Sequence, residues 1–334
     1  MFSAPRYEGP PSDHFDGRRF HNVPESGHGS VSKLLRFLSS RAPGPWRREE
    51  NAPGPPPPTR SEELRLTFVG HATCLVQVAG LNLLTDPVWS ERCSPVGWAG
   101  PRRFRAPGLR LEDLPPLDAV LLSHNHYDHL DLPTLRALHT THGAPVLAPL
   151  GNAALLAQHG VAGEDLDWWE ERALGPLRAV CTPARHFSGR GPNDRDATLW
   201  SGWSLLRGDR HELFFAGDTA HGEHFAAVRA RLGAPRLALL PIGAYLPRWF
   251  MGPVHMDPAE AVQAHLELEA EQSVGIHFGT FALADDAMDQ PQRELAAALE
   301  QAPLDPARFR TLREGEALEL PARAAAGGPG RASA

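Results

Sequence analysis

The sequence is poor in cysteine and tyrosine, and it has no long apolar run. Among 334 residues there are 3 cysteines and 3 tyrosines. Three cysteines do not suggest a disulfide framework. The absence of such a framework is typical of proteins of the reducing cytoplasm. No segment reaches the roughly eighteen apolar residues that a transmembrane helix requires. The N-terminus also lacks the charged start and apolar run of a signal peptide, so we expect a cytoplasmic protein.

The sequence also lacks a basic surplus. Its formal net charge is −7 at pH 7, whereas nucleic-acid-binding domains usually carry an excess of Lys and Arg. We therefore expect no nucleic-acid partner. The 17 histidines are more informative, because histidine is the commonest metal ligand in proteins.

Composition divides the chain into three regions. Residues 1–60 are rich in Pro, Gly, Ser and Arg, and they end in a run of four prolines at 55–58. This region is predicted to be an N-terminal extension and linker. Residues 61–320 are predicted to form one α/β domain, and residues 321–334 a disordered tail.

One apolar pattern lies within the first region. Val31, Leu34, Leu35 and Leu38 recur at helical spacing. Two interpretations stay open: a short helix docked on the main domain, or a foot that rests on a membrane surface.

Short apolar runs bounded by turn residues predict the strands of the domain. They lie at 64–69, 75–78, 81–84, 119–122, 177–182, 199–206, 213–215, 237–240 and 274–276. Helices are predicted at 133–138 and 152–158. A further helix begins after Asp257, because an N-cap aspartate, a proline at the first position and Glu260 at the third form a capping box.

Four metal-binding side chains lie within six residues, directly after the strand predicted at 119–122. They are His124, His126, Asp128 and His129. Imidazole nitrogen and carboxylate oxygen are the ligands of zinc and similar metals. The backbone between them is too short for all four to bind one ion, so the pattern indicates two ions close together.

Other candidates follow predicted strands in the same way. His186, Asp218 and His277 each lie just past an apolar run. Singly, each would more often be a structural residue, but together they describe one edge of a sheet, where α/β sites collect. Asp86 ends another strand and is either a turn residue or an acceptor that orients a ligating histidine.

The pattern HxHxDH, followed by a distant His, Asp and His, resembles the metallo-β-lactamase superfamily. The resemblance implies an α/β protein of αββα sandwich type, with two mixed β-sheets packed face to face and helices outside. It implies two metal ions, approximately 3.5–4 Å apart, that activate a water for hydrolysis. The implied ligands are His124, His126 and His186 for the first ion, Asp128, His129 and His277 for the second, and Asp218 between them.

Longer stretches resemble the N-acylphosphatidylethanolamine-hydrolysing phospholipase D family, over about residues 64 to 318. They include TDPV at 85–88, GPRRFR at 100–105, SHNHYDHLD at 123–131, PIGAYLPRWFM at 241–251 and IHFGTFALA at 276–284. The resemblance implies hydrolysis of the phosphodiester on the glycerol side of the headgroup, giving phosphatidic acid and N-acylethanolamine. It also implies zinc, with Mn²⁺ or Fe²⁺ as alternatives.

By the same resemblance, Asp128, Asp218 and His255 are expected to act in catalysis, with His255 as a proton donor or a contact to the leaving group. Substrate phosphate or anionic headgroups could be held by Arg102, Arg103, Arg105 and Arg248. A solvated loop explains these arginines almost as well. The role of the loop at 187–197 stays open.

Three functions stay open. The first is the phospholipase, and the second is a metallohydrolase acting on a small soluble phosphodiester, a sugar-phosphate lactone or a cyclic nucleotide. A wide entrance with an apolar rim favours lipid, whereas a closed polar pocket favours the small molecule. The third is a non-catalytic binding module, whose mark would be a missing ligand, and none is missing. Partners left open are the inner surface of the membrane and a second copy of the chain.

Overall fold

The computed structural model describes residues 3–24 and 31–321, with only the backbone of residue 31. The predicted C-terminal tail therefore lies almost wholly outside the described residues. Within them, no helix is both long and apolar enough to span a bilayer.

Fourteen strands make up two sheets of seven strands each in the described part of the chain. In chain order they are β1 (Leu64–Gly70), β2 (Thr73–Val78), β3 (Leu81–Thr85), β4 (Ala119–Leu121), β5 (Val146–Pro149), β6 (Gly163–Leu166), β7 (Glu171–Leu174), β8 (Leu177–Thr182), β9 (Gly202–Arg207), β10 (Arg210–Phe215), β11 (Leu237–Pro241), β12 (Gln272–Ile276), β13 (Phe309–Thr311) and β14 (Ala317–Leu320).

Both sheets are mixed, and they share one plan. The first has the order β14-β1-β2-β3-β4-β5-β6 and the second the order β13-β12-β11-β10-β9-β8-β7. In each sheet one half is antiparallel and the other half parallel. Strand β14 returns from the C-terminal end of the chain to pair with β1, which ties the two ends of the domain together.

The helices are α1 (Val31–Ser39), α2 (Leu132–His142), α3 (Asn152–Gln158), α4 (His224–Leu232), α5 (Arg248–Met251), α6 (Pro258–Leu268) and α7 (Gln290–Gln301). Helix α6 begins as predicted: the Asp257 carboxylate accepts from the backbone of Glu260, and Glu260 bonds back to the Asp257 backbone. Helix α3 packs on β5 and β6, and α6 packs on β11.

Side-chain alternation places the main core between the sheets. On β1, Leu64, Leu66 and Phe68 enter the main apolar cluster, which also holds Leu205 of the second sheet. Val69 instead points to the opposite face, into a cluster with the helices of that side. Successive residues of a strand point to opposite faces, so a sheet with both faces covered is apolar throughout. The predicted αββα sandwich is confirmed.

Helix α1 contacts the domain through a different residue from those predicted. The ring of Phe37 is 6% exposed and stacks on Phe250 with ring centroids 4.3 Å apart. Leu34, Leu35 and Leu38 are 45%, 62% and 57% exposed. Among the described side chains of α1, Phe37 is therefore the one buried against the domain, while three of the four predicted apolar positions stay largely exposed; the side chain of the fourth, Val31, lies outside the described part of the chain.

Candidate metal centre

The candidate ligands come from the ends of four strands. The segment after β4 carries His124 to His129, while His186 follows β8, Asp218 follows β10 and His277 follows β12. These ends meet at one edge of the sandwich, so residues distant in sequence converge there.

The backbone before Asp218 requires glycine. Gly217 has a φ of +62°, and a Cβ there would lie 2.6 Å from Cβ of Ser123 and 2.8 Å from the carbonyl oxygen of Ser201. A side chain at 217 would therefore displace the segment that leads into the histidine cluster.

Three histidines form the first group of ligand atoms. His126 Nδ1 lies 2.7 Å from His124 Nε2 and 3.2 Å from His186 Nε2. Each ring nitrogen faces the other two within a buried volume, which is the arrangement of donors around a single ion.

The second group contains a carboxylate. Asp128 Oδ2 lies 3.3 Å from His129 Nε2 and 3.3 Å from His277 Nε2. These three side chains also come close enough together to hold a metal ion.

Asp218 lies between the two groups. Its Oδ2 is 3.2 Å from His129 Nε2 and 3.1 Å from His277 Nε2, both in the second group. It is 3.8 Å from His186 Nε2 in the first group. All seven ligand candidates are thus brought together, with the aspartate where a bridging ligand would stand.

The donor set fits two divalent cations. Among the described residues, His129 Nε2 and Asp218 Oδ1 are buried and have no hydrogen-bond partner. A buried polar atom without a partner is costly, and a bound cation would satisfy both atoms. Mixed imidazole and carboxylate donors suit zinc, iron and manganese.

A second layer of groups orients the ligands. His129 Nδ1 lies 2.6 Å from Asp86 Oδ2, and Asp86 also accepts from the backbone N–H of Ser123 at 2.7 Å. His186 donates from Nδ1 to the carbonyl oxygen of Val254 at 2.9 Å. Each contact leaves the Nε2 atom of its histidine directed toward the cluster. Asp86 thus lies where the orienting interpretation requires.

The two carboxylates favour protons on the facing histidines. Burial opposes charge on His277, but Asp218 and Asp128 raise its pKa to about 9. His129 behaves alike: burial lowers its pKa, yet Asp218, Asp128 and Asp86 together raise it well above the ordinary value. In the metal-free protein at pH 7 these imidazoles therefore carry protons that a metal ion must displace.

We expect metal binding at pH 7 to release at least one proton. A ligating imidazole must be neutral, and the pKa of His277 near 9 lies above pH 7, so affinity should rise with pH up to about 9 and weaken as the pH falls. Calorimetric titration of metal-free protein in two buffers of different ionisation enthalpy measures the release. Equal binding heats in both buffers would contradict this expectation.

His255 lines the same site. It is 6% exposed, and its Nδ1 lies 4.0 Å from Asp218 Oδ2. Burial lowers its pKa well below the ordinary value, and the neighbouring His186 and His277 add to that effect while Asp218 opposes it. His255 is therefore a neutral imidazole at pH 7, able to donate one hydrogen bond.

Sequence reasoning missed His71. Its Nε2 lies 2.9 Å from Asp128 Oδ2, its ring lies 4.1 Å from that of His277, and its carbonyl oxygen accepts from the backbone of His277. It sits in the turn after β1 with a φ of 58°. The rule that found the other candidates, a polar side chain just past an apolar strand, would have found it too.

The four arginines predicted to contact substrate are engaged elsewhere. Arg102 pairs with Glu91, and Arg105 pairs with Glu49 at 2.9 Å. Arg103 donates to the carbonyl oxygen of Val88 at 2.7 Å. Arg248 donates to the carbonyl oxygen of His255 at 2.9 Å and pairs with Glu260 at 2.7 Å, so it supports the segment that carries His255.

A cavity of about 720 Å³ opens above the cluster. This volume lies within the usual range of ligand sites, roughly 300–1,000 Å³. Its polar lining includes His126, Asp128, Asp218, His255 and His277, with Arg190 and Arg195 as cations. Its apolar lining includes Leu34, Phe37, Phe187, Phe250, Met251 and Leu283.

Comparison with known proteins identifies the family. The family model described as a beta-lactamase superfamily domain matches residues 81–278, more than half of the chain. The chain belongs to the β-lactamase superfamily. The match spans all seven candidate ligand positions and ends one residue past His277, so it includes the whole cluster described above except His71.

Two relatives are similar to this chain over about two thirds of its length. An uncharacterised protein of Mycobacterium tuberculosis is 44% identical over 72% of this chain and 65% of its own length. N-acyl-phosphatidylethanolamine-hydrolyzing phospholipase D 1 of Caenorhabditis elegans is 39% identical over 64% of each chain. The chain thus spans less than two thirds of either relative.

A solved structure shows the same fold. The diiron β-hydroxylase CmlA of Streptomyces venezuelae matches with a TM-score of 0.56 and 22% identity, over 78% of this chain and 55% of that one.

Proposed function

We propose that the protein is a metal-dependent hydrolase, and more specifically a phosphodiesterase that cleaves N-acylphosphatidylethanolamine to phosphatidic acid and N-acylethanolamine. The observation that carries the lipid proposal is the cavity, since it joins the ligand cluster to walls rich in apolar side chains. The 39% identity to the nematode phospholipase D supports the same substrate class.

Seven side chains would hold the metal ions. His124, His126 and His186 would bind one ion and Asp128, His129 and His277 the other, with Asp218 shared. When bound, such a pair of ions supplies an activated water and stabilises charge on the substrate phosphate. The metal is proposed to be zinc, while the diiron centre named for CmlA makes iron the first alternative.

The protein's own groups suit the rest of the reaction. His255 would donate a hydrogen bond to the phosphate or to the departing oxygen from its neutral ring. Arg195, whose guanidinium lies 4.5 Å over the ring of Phe187 and 3.5 Å from Asp196, lines the cavity and would offer charge to the phosphate there. The apolar lining would exclude water and cover the acyl chains.

The mouth of the cavity would rest on a bilayer. Leu35 and Leu38 of α1 are exposed, and the neighbouring Trp249 is 39% exposed beneath the guanidinium of Arg36 at 4.6 Å. Helix α1 carries Lys33 and Arg36 and no acidic residue. Exposed apolar side chains with a basic flank are the features of a helix that lies on an anionic lipid surface.

The proposed function is tested by assaying metal-loaded protein on two substrates. We expect turnover of N-acylphosphatidylethanolamine in mixed micelles, with N-acylethanolamine as a product, and slower turnover of bis(p-nitrophenyl) phosphate. Elemental analysis should find close to two equivalents of metal per chain. Turnover of the small diester alone would favour the soluble phosphodiester as substrate. If the protein neither turned over a substrate nor bound metal, only the non-catalytic binding module would remain as an interpretation.

A further inference from the structure

The N-terminal residues lie across the loop that carries one of the candidate ligands. Phe20 donates from its backbone to the carbonyl oxygen of Asp196 at 2.8 Å, and the backbone of Ala4 donates to Asp194 Oδ2 at 2.6 Å. Phe15 and Phe20 are buried in an apolar cluster with Trp200. We name residues 3–24 the N-terminal strap.

The end of this strap holds both sides of one backbone residue. Asn22 donates from Nδ2 to the carbonyl oxygen of His186 at 3.0 Å. Its Oδ1 accepts from the backbone N–H of His186 at 3.1 Å and from Nε1 of Trp200 at 3.0 Å. Asn22 is 1% exposed, so these hydrogen bonds are shielded from water and hold a single geometry.

His186 depends on such support. It lies between the end of β8 at Thr182 and the start of β9 at Gly202, so no strand ladder binds its backbone. Its ring is anchored through Nδ1 to Val254, which sets the rotation of the ring and leaves the backbone to be fixed by another group. Asn22 supplies that second anchor from a part of the chain 164 residues away.

We propose that Asn22 is a positioning residue for the group of His124, His126 and His186. By holding the backbone of His186, it keeps Nε2 at the distance from His126 that a shared ion requires. This inference rests on the proposed metal site. It makes the strap part of the metal centre, and it predicts that loss of Asn22 affects one ion and spares the other.

The test compares Asn22→Ala with His14→Ala, both within the strap. His14 lies 2.7 Å from Asp167, stacks on Trp168 at 4.4 Å and does not touch His186. Removing an outer-layer partner of a metal ligand typically weakens metal affinity by about 10–100-fold. We expect that loss in Asn22→Ala for one of two equivalents, and wild-type affinity for both in His14→Ala.

Competitive metal titration followed by elemental analysis counts the equivalents, and the visible spectrum of the Co²⁺-substituted protein reports the coordination. Asn22→Asp serves as a second variant: it can still accept from the His186 N–H and from Trp200, but it places a carboxylate oxygen against the carbonyl oxygen of His186, so a loss at least as large as in Asn22→Ala is expected. Circular dichroism and thermal unfolding verify that each variant is folded.

Two results would overturn the proposal. One is an Asn22→Ala protein that binds both equivalents with wild-type affinity and an unchanged Co²⁺ spectrum. The other is an equal loss in His14→Ala, which would assign the effect to strap packing in general. Failure of the metal proposal itself would be seen separately, as a wild-type protein that binds no metal in the same titration.

Discussion

Replacing Asp218 by alanine is expected to lower turnover of either substrate by on the order of 10³-fold, the upper range for losing one group that stabilises transition-state charge. Asp218 Oδ2 lies within reach of both ligand groups, 3.1 Å from His277 and 3.8 Å from His186. Its removal takes away the proposed shared ligand and leaves His129 and His277 to face each other with less compensating negative charge.

Initial rates and metal content measure this effect together. We expect bound metal to fall below two equivalents along with the rate. Asp209→Ala is the matched control, because it makes the same chemical change at an exposed turn between β9 and β10 and should leave both quantities unchanged. An Asp218→Ala enzyme that retained wild-type turnover would exclude the bridging role.

The double variant Leu35→Ser/Leu38→Ser is expected to bind anionic vesicles roughly 30-fold more weakly than the wild type. These leucines are 62% and 57% exposed, so a bilayer would bury the exposed part, about half of each side chain. Full burial of leucine stabilises by about 2 kcal/mol, and half of that for two residues sums to about 2 kcal/mol. Phe37 is untouched, so α1 should stay docked on Phe250.

Co-sedimentation with vesicles of phosphatidylcholine and phosphatidylglycerol gives the affinity. Pure phosphatidylcholine vesicles should bind less protein, because they offer no anionic lipid to attract Lys33 and Arg36. Leu266→Ser is the control, since Leu266 is a 38% exposed leucine on α6 and does not line the cavity. Turnover of bis(p-nitrophenyl) phosphate should be equal in all three proteins. Undiminished vesicle binding by the double variant would exclude α1 as the contact.

All nine predicted strands overlap strands of the structure, whereas β5 and the four edge strands β6, β7, β13 and β14 were not predicted. The strand predicted at 177–182 matches β8, whereas β6 and β7 contain Glu and Asp or Arg and were not predicted. Edge strands carry little apolar pattern because one side faces solvent. Strands β13 and β14 are also edge strands, and their partly exposed residues give the same weak pattern.

The N-terminal region shows the limit of composition as a guide. Its Pro- and Gly-rich character predicts a linker, and the domain boundary at residue 60 stays a prediction. Yet described residues before that boundary contact the domain: Asn22 bonds to the candidate ligand His186, and Arg41 pairs with Asp285 at 2.6 Å. Such contacts depend on a partner surface that local sequence does not reveal.

The sequence by itself determined the ligand chemistry and the family of the fold. The spacing of His124, His126, Asp128 and His129 after a buried strand is local information, and the periodicity of apolar runs is sufficient to predict layered sheets. Only the tertiary structure decided which arginines face the cavity, that Asn22 contacts His186, and that α1 leaves its leucines exposed. These features arise from contacts between segments far apart in the chain, whose geometry is set by packing of the whole sandwich and not by any local pattern.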